Sequence, residues 1–121
     1  MIEKYNGKPY NFRSYNCWHH AAQVRADNGI KTKPFAVRTM AEAFKVIKAE
    51  MSELGHGLRR VESPIDFDIV MVSKKHGGSD VYHCGVYYSG HVSHCCRAFG
   101  AVRIEALGEF TSSYEVVSIW R

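Results

Sequence analysis

The 121-residue sequence lacks several features that would assign it to a special class. No apolar run is long enough to cross a membrane, and the first residues lack the apolar core of a signal peptide, so we predict neither a membrane partner nor an export signal of its own. There is no internal repeat and no low-complexity tract. With 45% hydrophobic and 23% charged residues, the chain is predicted to form one folded domain over 1–121.

Cysteine is sparse, and its spacing is unlike that of common metal sites. The chain has four cysteines, too few for a dense disulfide framework, so we expect reduced thiols. There is no Cys-x-x-Cys and no helical His-x-x-x-His, and adjacent His-Cys pairs on a strand point to opposite faces. We therefore predict no metal. A zinc-binding His/Cys domain is kept as an alternative, with ligands drawn from His76, His83, Cys84, His91, His94, Cys95 and Cys96.

Charge of neither sign dominates the sequence. Sixteen Lys and Arg against twelve Asp and Glu leave a net charge of +4, which mildly favours anionic partners such as cell-wall polymers or nucleic acid. The basic residues are scattered and lack the aromatic interleaving of nucleic-acid sites. We therefore expect no nucleic-acid partner.

One stretch predicts a helix that begins at a cysteine. Asn16 is a favourable N-cap residue, and the helical spacing ends at Asn28-Gly29. Cys17, Ala21 and Val24 recur on one helical face. A thiol at a helix N-terminus is favoured as the thiolate, because it lies at the positive end of the helix dipole beside unpaired N–H groups. Cys17 is therefore a candidate nucleophile, and a small buried apolar residue is the alternative interpretation.

Beyond this helix the pattern changes from helical to extended. Thr39 and Glu42 form a capping-box pattern that predicts a second helix, ending at Gly55. After Arg60, apolar and alternating runs predict an antiparallel sheet of about five to six strands. The predicted strands cover 65–73, 81–88, 91–99, 101–107 and 114–120. N-terminal helices packed on such a sheet define an α+β fold.

A predicted hairpin brings two histidines together. If Ser89-Gly90 is a two-residue loop, it fixes the register of the strands on either side. His83 and His94 are then diagonal neighbours on one face, about 7 to 8 Å apart at the backbone. In the same register Cys84 and Cys95 meet on the opposite face, as a packed pair or, under oxidising conditions, as a disulfide.

These residue types predict a thiol triad. Cys17 would be the nucleophile, His83 the base that takes its proton and later protonates the leaving amine, and His94 the group that orients His83. The backbone N–H of Cys17 and the side chain of Tyr10, in the polar lead-in, are the candidate oxyanion donors. Gly85 is expected to leave room for the close approach of a substrate or helix. Because an acyl-thioester can be resolved by water or by an amine, hydrolysis and acyl transfer both remain open.

Six stretches, which together cover most of the chain, carry a resemblance to a known family. They are Gly7-Lys8-Pro9-Tyr10, Asn16-Cys17-Trp18, Pro64 to Val70, His83-Cys84-Gly85-Val86-Tyr87, Val92-Ser93-His94 and Ile119-Trp120-Arg121. In these stretches the chain resembles the NlpC-type cysteine peptidases of the papain-like superfamily. The resemblance is strongest to the phage cell-wall peptidase branch that is found with tail proteins.

The resemblance implies a papain-like fold and a specific activity. Cys17, His83 and His94 correspond to the family's catalytic triad, and Tyr10 to its oxyanion tyrosine. The implied reaction is hydrolysis of amide bonds in peptidoglycan stem peptides, commonly next to D-glutamate, without metal or cofactor. The implied protein is phage or prophage encoded, is made in the host cytoplasm, and acts on the cell wall, with phage tail or other virion proteins as partners.

The sequence also departs from the family pattern. Asn16 replaces the usual aspartate, which keeps the helix cap and removes a charge, and Phe67 stands where glycine is usual. His19-His20 follows the cysteine in place of small or apolar residues, and is expected to line the cleft or cap its rim without a catalytic role. The loop over 10–17 is short. These departures leave the substrate choice open.

An inactive papain-like domain that serves as a structural piece of a phage particle is the second alternative. Retention of all three triad residue types argues against it, because a purely structural copy has no chemical reason to keep them. A reactive, low-pKa thiol at Cys17 is the property that separates the two interpretations.

Overall fold

A computed structural model of the protein describes residues 2–32 and 58–121. The predicted second helix, over 39–55, lies outside the described residues. Within the described residues, no helix has the length and apolar character needed to span a bilayer. The helices are a 3-10 helix at Ile2–Tyr5, α1 at Cys17–Asp27 and α2 at Leu107–Ser113. The strands are β1 Arg60–Val61, β2 Ile69–His76, β3 Ser79–Tyr88, β4 His91–Cys96, β5 Ala101–Ala106 and β6 Glu115–Trp120.

The six strands form one antiparallel sheet in the order β1-β6-β2-β3-β4-β5. This arrangement confirms the α+β class and the antiparallel sheet predicted from the sequence. Several boundaries differ from the prediction, and the strand predicted over 91–99 ends at Cys96. The first long strand begins at Ile69, not Ile65, and the turn predicted over 74–80 is reduced to Gly77-Gly78, because both glycines adopt the positive φ angles of a tight hairpin.

The predicted Ser89-Gly90 hairpin is confirmed. Both loop residues have positive φ, at 47° and 80°, and Tyr88 pairs with His91. The pairing continues only as far as Val86 with Ser93. The predicted register is therefore observed near the turn, but the ladder does not extend to Cys84 and Cys95, because β3 runs on along β2 beyond the residues at which it pairs with β4.

Both faces of the sheet are covered, each by a different helix. α1 packs on one face against β3 and β4, in a core that contains Cys17, Trp18, Ala21, Val24, Ile69, Met71, Cys84, Val86, Cys95, Val102 and Trp120. α2 supplies Phe110 to the opposite face, in a core with Val70, Val72 and Val92. Alternation along β2 therefore sends successive side chains to α1 and to α2. The predicted strand over 101–107 ends at Ala106, where α2, which the sequence did not predict, begins.

A buried ion pair joins two of the resembling stretches. Asp68 is 1% exposed and accepts hydrogen bonds from Arg121 Nε at 3.0 Å and Arg121 Nη2 at 2.8 Å. Phe67, immediately before it, has a φ of 74°, in the left-handed region that favours glycine. Phe67 therefore has a backbone conformation that is more typical of glycine. The Phe67 carbonyl accepts a hydrogen bond from Arg25 Nη1 at 2.5 Å, which ties this loop to α1.

Candidate active site

The N-terminus of α1 is capped as the sequence predicts. The Asn16 side chain accepts hydrogen bonds from the backbone N–H of Trp18 at 3.0 Å and of His19 at 3.1 Å. In return, the backbone N–H of Asn16 donates to His19 Nδ1 at 3.1 Å, which completes a capping box. The cap fixes Cys17 as the first residue of the helix, where its own N–H has no acceptor within the helix.

The thiol of Cys17 is buried next to a second thiol. Cys17 is 4% exposed and Cys84, on β3, is fully buried. As a hydrogen-bond partner of the thiolate, Cys84 lowers the pKa of Cys17, and His83 lowers it further against the opposing effect of burial. The net result is a Cys17 pKa well below the ordinary value, while the same contact raises the pKa of Cys84. Cys17 is therefore the thiol of this pair that ionises first.

The contact between Cys84 and Cys17 was missed by sequence reasoning, which placed Cys84 against Cys95. Both Cys84 and Cys95 lie in the core under α1, on the predicted face, but Cys95 donates to the carbonyl of Tyr15 at 3.3 Å. All four cysteines are free thiols, so the cross-strand disulfide does not form in this structure.

The two histidines meet on one face of the sheet, as predicted, and α2 covers that face. His83 Nε2 lies 2.8 Å from His94 Nδ1, and the ring centroids are 5.0 Å apart. His94 is 1% exposed, and the edge-on ring of Phe110 lies 4.8 Å from it, centroid to centroid. Burial, followed by the nearby His83, lowers the pKa of His94 to about 4. His94 is therefore a neutral imidazole near neutral pH.

His94 has a second partner that the sequence did not reveal. Its Nε2 lies 2.8 Å from Glu105 Oε2, and Glu105 Oε1 receives Arg103 Nη2 at 3.2 Å. Glu105 pairs with Val92 across β4 and β5, so its side chain projects on the same face as that of His94, two residues further along β4. The only sequence signal for this contact was the alternation of β5, and the register between β4 and β5 could not be fixed from it.

Aromatic rings hold His83 in place. Tyr114, which caps the C-terminus of α2, stacks on His83 with a centroid distance of 5.5 Å and an interplanar angle of 27°. Burial raises the pKa of Tyr114 to about 12, so the ring remains a neutral phenol. Sequence reasoning missed this contact because α2, the element that carries Tyr114 to the site, was not predicted.

Gly85 has a different role from the one expected. A Cβ atom at this position would lie 2.4 Å from Val92 Cγ1 and 3.1 Å from His94 Cβ. The space that glycine leaves is therefore filled by side chains of β4 and not by a substrate or a helix. The close approach is what lets His94 lie against His83.

The lead-in places Tyr10 at the site. Its backbone pairs with the start of β5, since Gly7 donates to the Val102 carbonyl at 2.9 Å and Tyr10 to the Gly100 carbonyl at 2.8 Å. The phenol of Tyr10 is half-buried, and its pKa is raised first by burial and then by the nearby Cys17. Tyr10 therefore lies close to Cys17, and its role as an oxyanion donor stays a prediction.

The site residues open onto one cleft of about 550 Å³. It lies where β3 runs past the end of its pairing with β4, so that Cys17, from one face of the sheet, and His83, from the other, both line it. The cleft is lined by Tyr10, Phe12, Cys17, Lys74, Val81, Tyr82, His83, Cys95, Cys96, Arg97, Ala98 and Tyr114. His94 is absent from the lining and lies behind His83.

The expectation for His20 was wrong. His20 is fully buried beneath α1, with Nδ1 at 2.8 Å from the Tyr15 hydroxyl and Nε2 at 2.8 Å from Ser93 Oγ. Burial lowers its pKa to about 3, so it is neutral. It lines no part of the cleft and instead ties α1 to β4, because the fourth residue after the Asn16 cap lies on the same helical face as Cys17, the face that packs on the sheet.

Within the described ranges, 2–32 and 58–121, no three His, Cys, Asp or Glu side chains are grouped to hold a metal ion. His83 and Cys84 project to opposite faces, as strand alternation predicts for adjacent residues.

Comparisons with known proteins add no assignment. No protein-family model matches the chain, and no curated protein is significantly similar to it. The resemblance described above therefore depends on its motifs and on how their residues are arranged in space.

Proposed function

We propose that this chain is a cysteine peptidase or amidase that hydrolyses amide bonds in peptidoglycan stem peptides through an acyl-thioester on Cys17. The observation that carries the proposal is the meeting of two groups at one cleft, with a third hydrogen-bonded behind them. Cys17, at the N-terminus of α1, and His83 line the cleft together, and His83 is hydrogen-bonded to His94 at 2.8 Å. A low-pKa thiol, a base and an orienting group are the components of thiol-based acyl transfer.

The reaction follows from the positions of these groups. The Cys17 thiolate attacks the scissile carbonyl carbon, and its proton resides on His83. The oxyanion of the tetrahedral intermediate accepts hydrogen bonds from the Cys17 backbone N–H and the Tyr10 hydroxyl, each worth about 3 kcal/mol of barrier. His83 then gives its proton to the departing amine, which breaks the C–N bond. Water, deprotonated by His83, attacks the thioester and releases the carboxylic acid and the thiol.

Two observations support a peptide of the cell wall as the substrate. The motif resemblance points to peptidoglycan stem peptides, and the cleft carries two cations, Lys74 and Arg97, with aromatic walls. Such a lining suits a peptide that bears carboxylates, as stem peptides do. The same resemblance supports a phage or prophage origin, with the enzyme delivered to the cell wall alongside tail or other virion proteins.

Digestion of purified peptidoglycan sacculi tests the proposal. Wild-type protein, Cys17→Ala and His91→Ala are incubated with sacculi, and released fragments are identified by mass spectrometry. His91→Ala is the control, because His91 is exposed at the hairpin and does not line the cleft. We expect release by the wild type and His91→Ala, unchanged by EDTA, and none by Cys17→Ala. Equal release by wild type and Cys17→Ala contradicts the proposal.

A further inference from the structure

The hydrogen bonds beyond His83 dictate where each proton sits. Glu105 is paired through Oε1 with Arg103, and a carboxylate so paired only accepts hydrogen bonds, so His94 Nε2, 2.8 Å from Oε2, must carry a proton. A neutral imidazole has one N–H, which leaves His94 Nδ1 as an acceptor. His83 Nε2, 2.8 Å from that atom, must then be the donor. His83 Nδ1 is left without a proton, as a base requires.

We propose that Glu105 is a positioning residue of the candidate active site, which acts through His94 to hold His83 in the Nε2–H tautomer and to stabilise the imidazolium form of His83. The inference rests on the proposed roles of Cys17 and His83. It adds a fourth group, on β5, to the three that the sequence identified. Glu105 itself does not line the cleft.

The surroundings of Glu105 favour an electrostatic role over a surface ion pair. Its side chain is 14% exposed, while that of Arg103, its cationic partner, is 34% exposed and therefore better screened by water. The Phe110 ring covers His94, so little water separates the carboxylate from the two imidazoles. The other titratable groups close to His83, His94 and Glu105 are Cys17 and His20 on α1, Lys74 on β2, Cys96 on β4 and Tyr114 after α2.

The tautomers can be read directly in the wild-type protein. Two-bond ¹H–¹⁵N correlation spectra near neutral pH distinguish the Nε2–H from the Nδ1–H tautomer of each imidazole. We expect His83 and His94 both to carry the proton on Nε2. A His94 ring with its proton on Nδ1, or a doubly protonated His94, overturns the proposal without any variant.

Alkylation of Cys17 measures the effect of the charge and needs no substrate. Wild type, Glu105→Gln and the control Glu62→Gln are treated with iodoacetamide near pH 6, and the Cys17 peptide is quantified by mass spectrometry. Glu62 is exposed beside β1, at the opposite edge of the sheet from β5. One unit charge several ångströms from the imidazolium corresponds to about a tenfold change in thiolate population. We expect Glu105→Gln to react about tenfold more slowly and Glu62→Gln to match the wild type.

The outcomes separate the two proposals. If wild-type Cys17 reacts no faster than an ordinary thiol, the proposed function fails whatever Glu105 does. If wild-type Cys17 is reactive and Glu105→Gln reacts equally fast, only the role of Glu105 fails. Should Glu105→Gln not fold, Arg103→Gln replaces it, because removing that cation leaves the carboxylate charge less compensated. Cys17 in Arg103→Gln should then react at least as fast as in the wild type, and slower reaction contradicts the proposal.

Discussion

His83 Nε2 and His94 Nδ1 lie 2.8 Å apart on neighbouring strands, although eleven residues separate them in the chain. The contact depends on the Ser89-Gly90 hairpin, which folds β4 back along β3, and on Gly85, which lets β4 approach closely. It joins His83, the proposed base, to His94, its proposed orienting partner. The behaviour of this pair is the basis of the first prediction.

Replacing His94 should impair catalysis more than binding. We expect His94→Ala to lower kcat by about a hundredfold, because His83 loses the acceptor that fixes its tautomer, with a smaller change in KM. The rate of fragment release from sacculi measures both constants. The control is His91→Ala, on the same strand but exposed at the hairpin. A His94→Ala enzyme as active as His91→Ala would show that His94 is not an orienting group.

Cys84 is predicted to lower the pKa of Cys17. Cys84→Ala removes the hydrogen-bond partner that contributes most to the low pKa of Cys17, so the Cys17 pKa should rise. The pH dependence of Cys17 alkylation should move to higher pH, and that of Cys95→Ala should not. An unchanged alkylation profile in Cys84→Ala would mean that the neighbouring thiol has no electrostatic effect on Cys17.

Gly85→Ala should disrupt both stability and the site. The added methyl would lie 2.4 Å from Val92 Cγ1, so β4 must shift away from β3. We expect the free energy of unfolding to fall by about 1 to 3 kcal/mol, the usual cost of overpacking, and His94 to lose its contact with His83. Urea denaturation measures the loss. In the double variant Gly85→Ala/Val92→Ala the obstructing side chain is shorter, so its loss in free energy of unfolding should be smaller than the summed losses of the two single variants. A loss larger than that sum would rule out the steric explanation.

Two buried neutral histidines should make the fold sensitive to acid. In the folded protein burial lowers the pKa of His20 to about 3 and of His94 to about 4, whereas both bind protons near 6.5 when exposed to water. Between these values the unfolded chain binds more protons than the folded one, so the free energy of unfolding decreases as pH falls below about 6.5. Urea denaturation at pH 7 and at pH 5 should show this decrease. His20→Gln, which cannot titrate, should show a smaller one, and an equal decrease in both proteins would contradict the contribution of His20.

The parts of this structure that sequence could predict are those with local signals. Asn16 and the spacing of Cys17, Ala21 and Val24 specify where α1 begins and which face it buries. Ser89-Gly90 specifies a hairpin, and the hairpin specifies that His83 and His94 share a face. Each of these inferences needs only neighbouring residues and the periods of helix and strand.

The parts that could not be predicted depend on how distant elements pack. The contact between Cys17 and Cys84 depends on where α1 docks on the sheet, and no pattern within either element specifies that position. Glu105 reaches His94 through the register of β4 and β5, whose connection is longer and less constrained than a two-residue turn. Tyr114 is positioned at the site by α2, a seven-residue helix that starts within a sequence pattern typical of a continuous strand.

The reactivity of Cys17 near pH 6 tests the central claim, a thiolate stabilised by His83, most directly. Wild-type protein and His83→Ala are treated with iodoacetamide, and Cys17 modification is followed by mass spectrometry. The account predicts rapid modification in the wild type and a loss of at least about tenfold in His83→Ala, because the thiolate loses its cationic partner. Equal rates in the two proteins, or a wild-type thiol that reacts only above about pH 8, would contradict it.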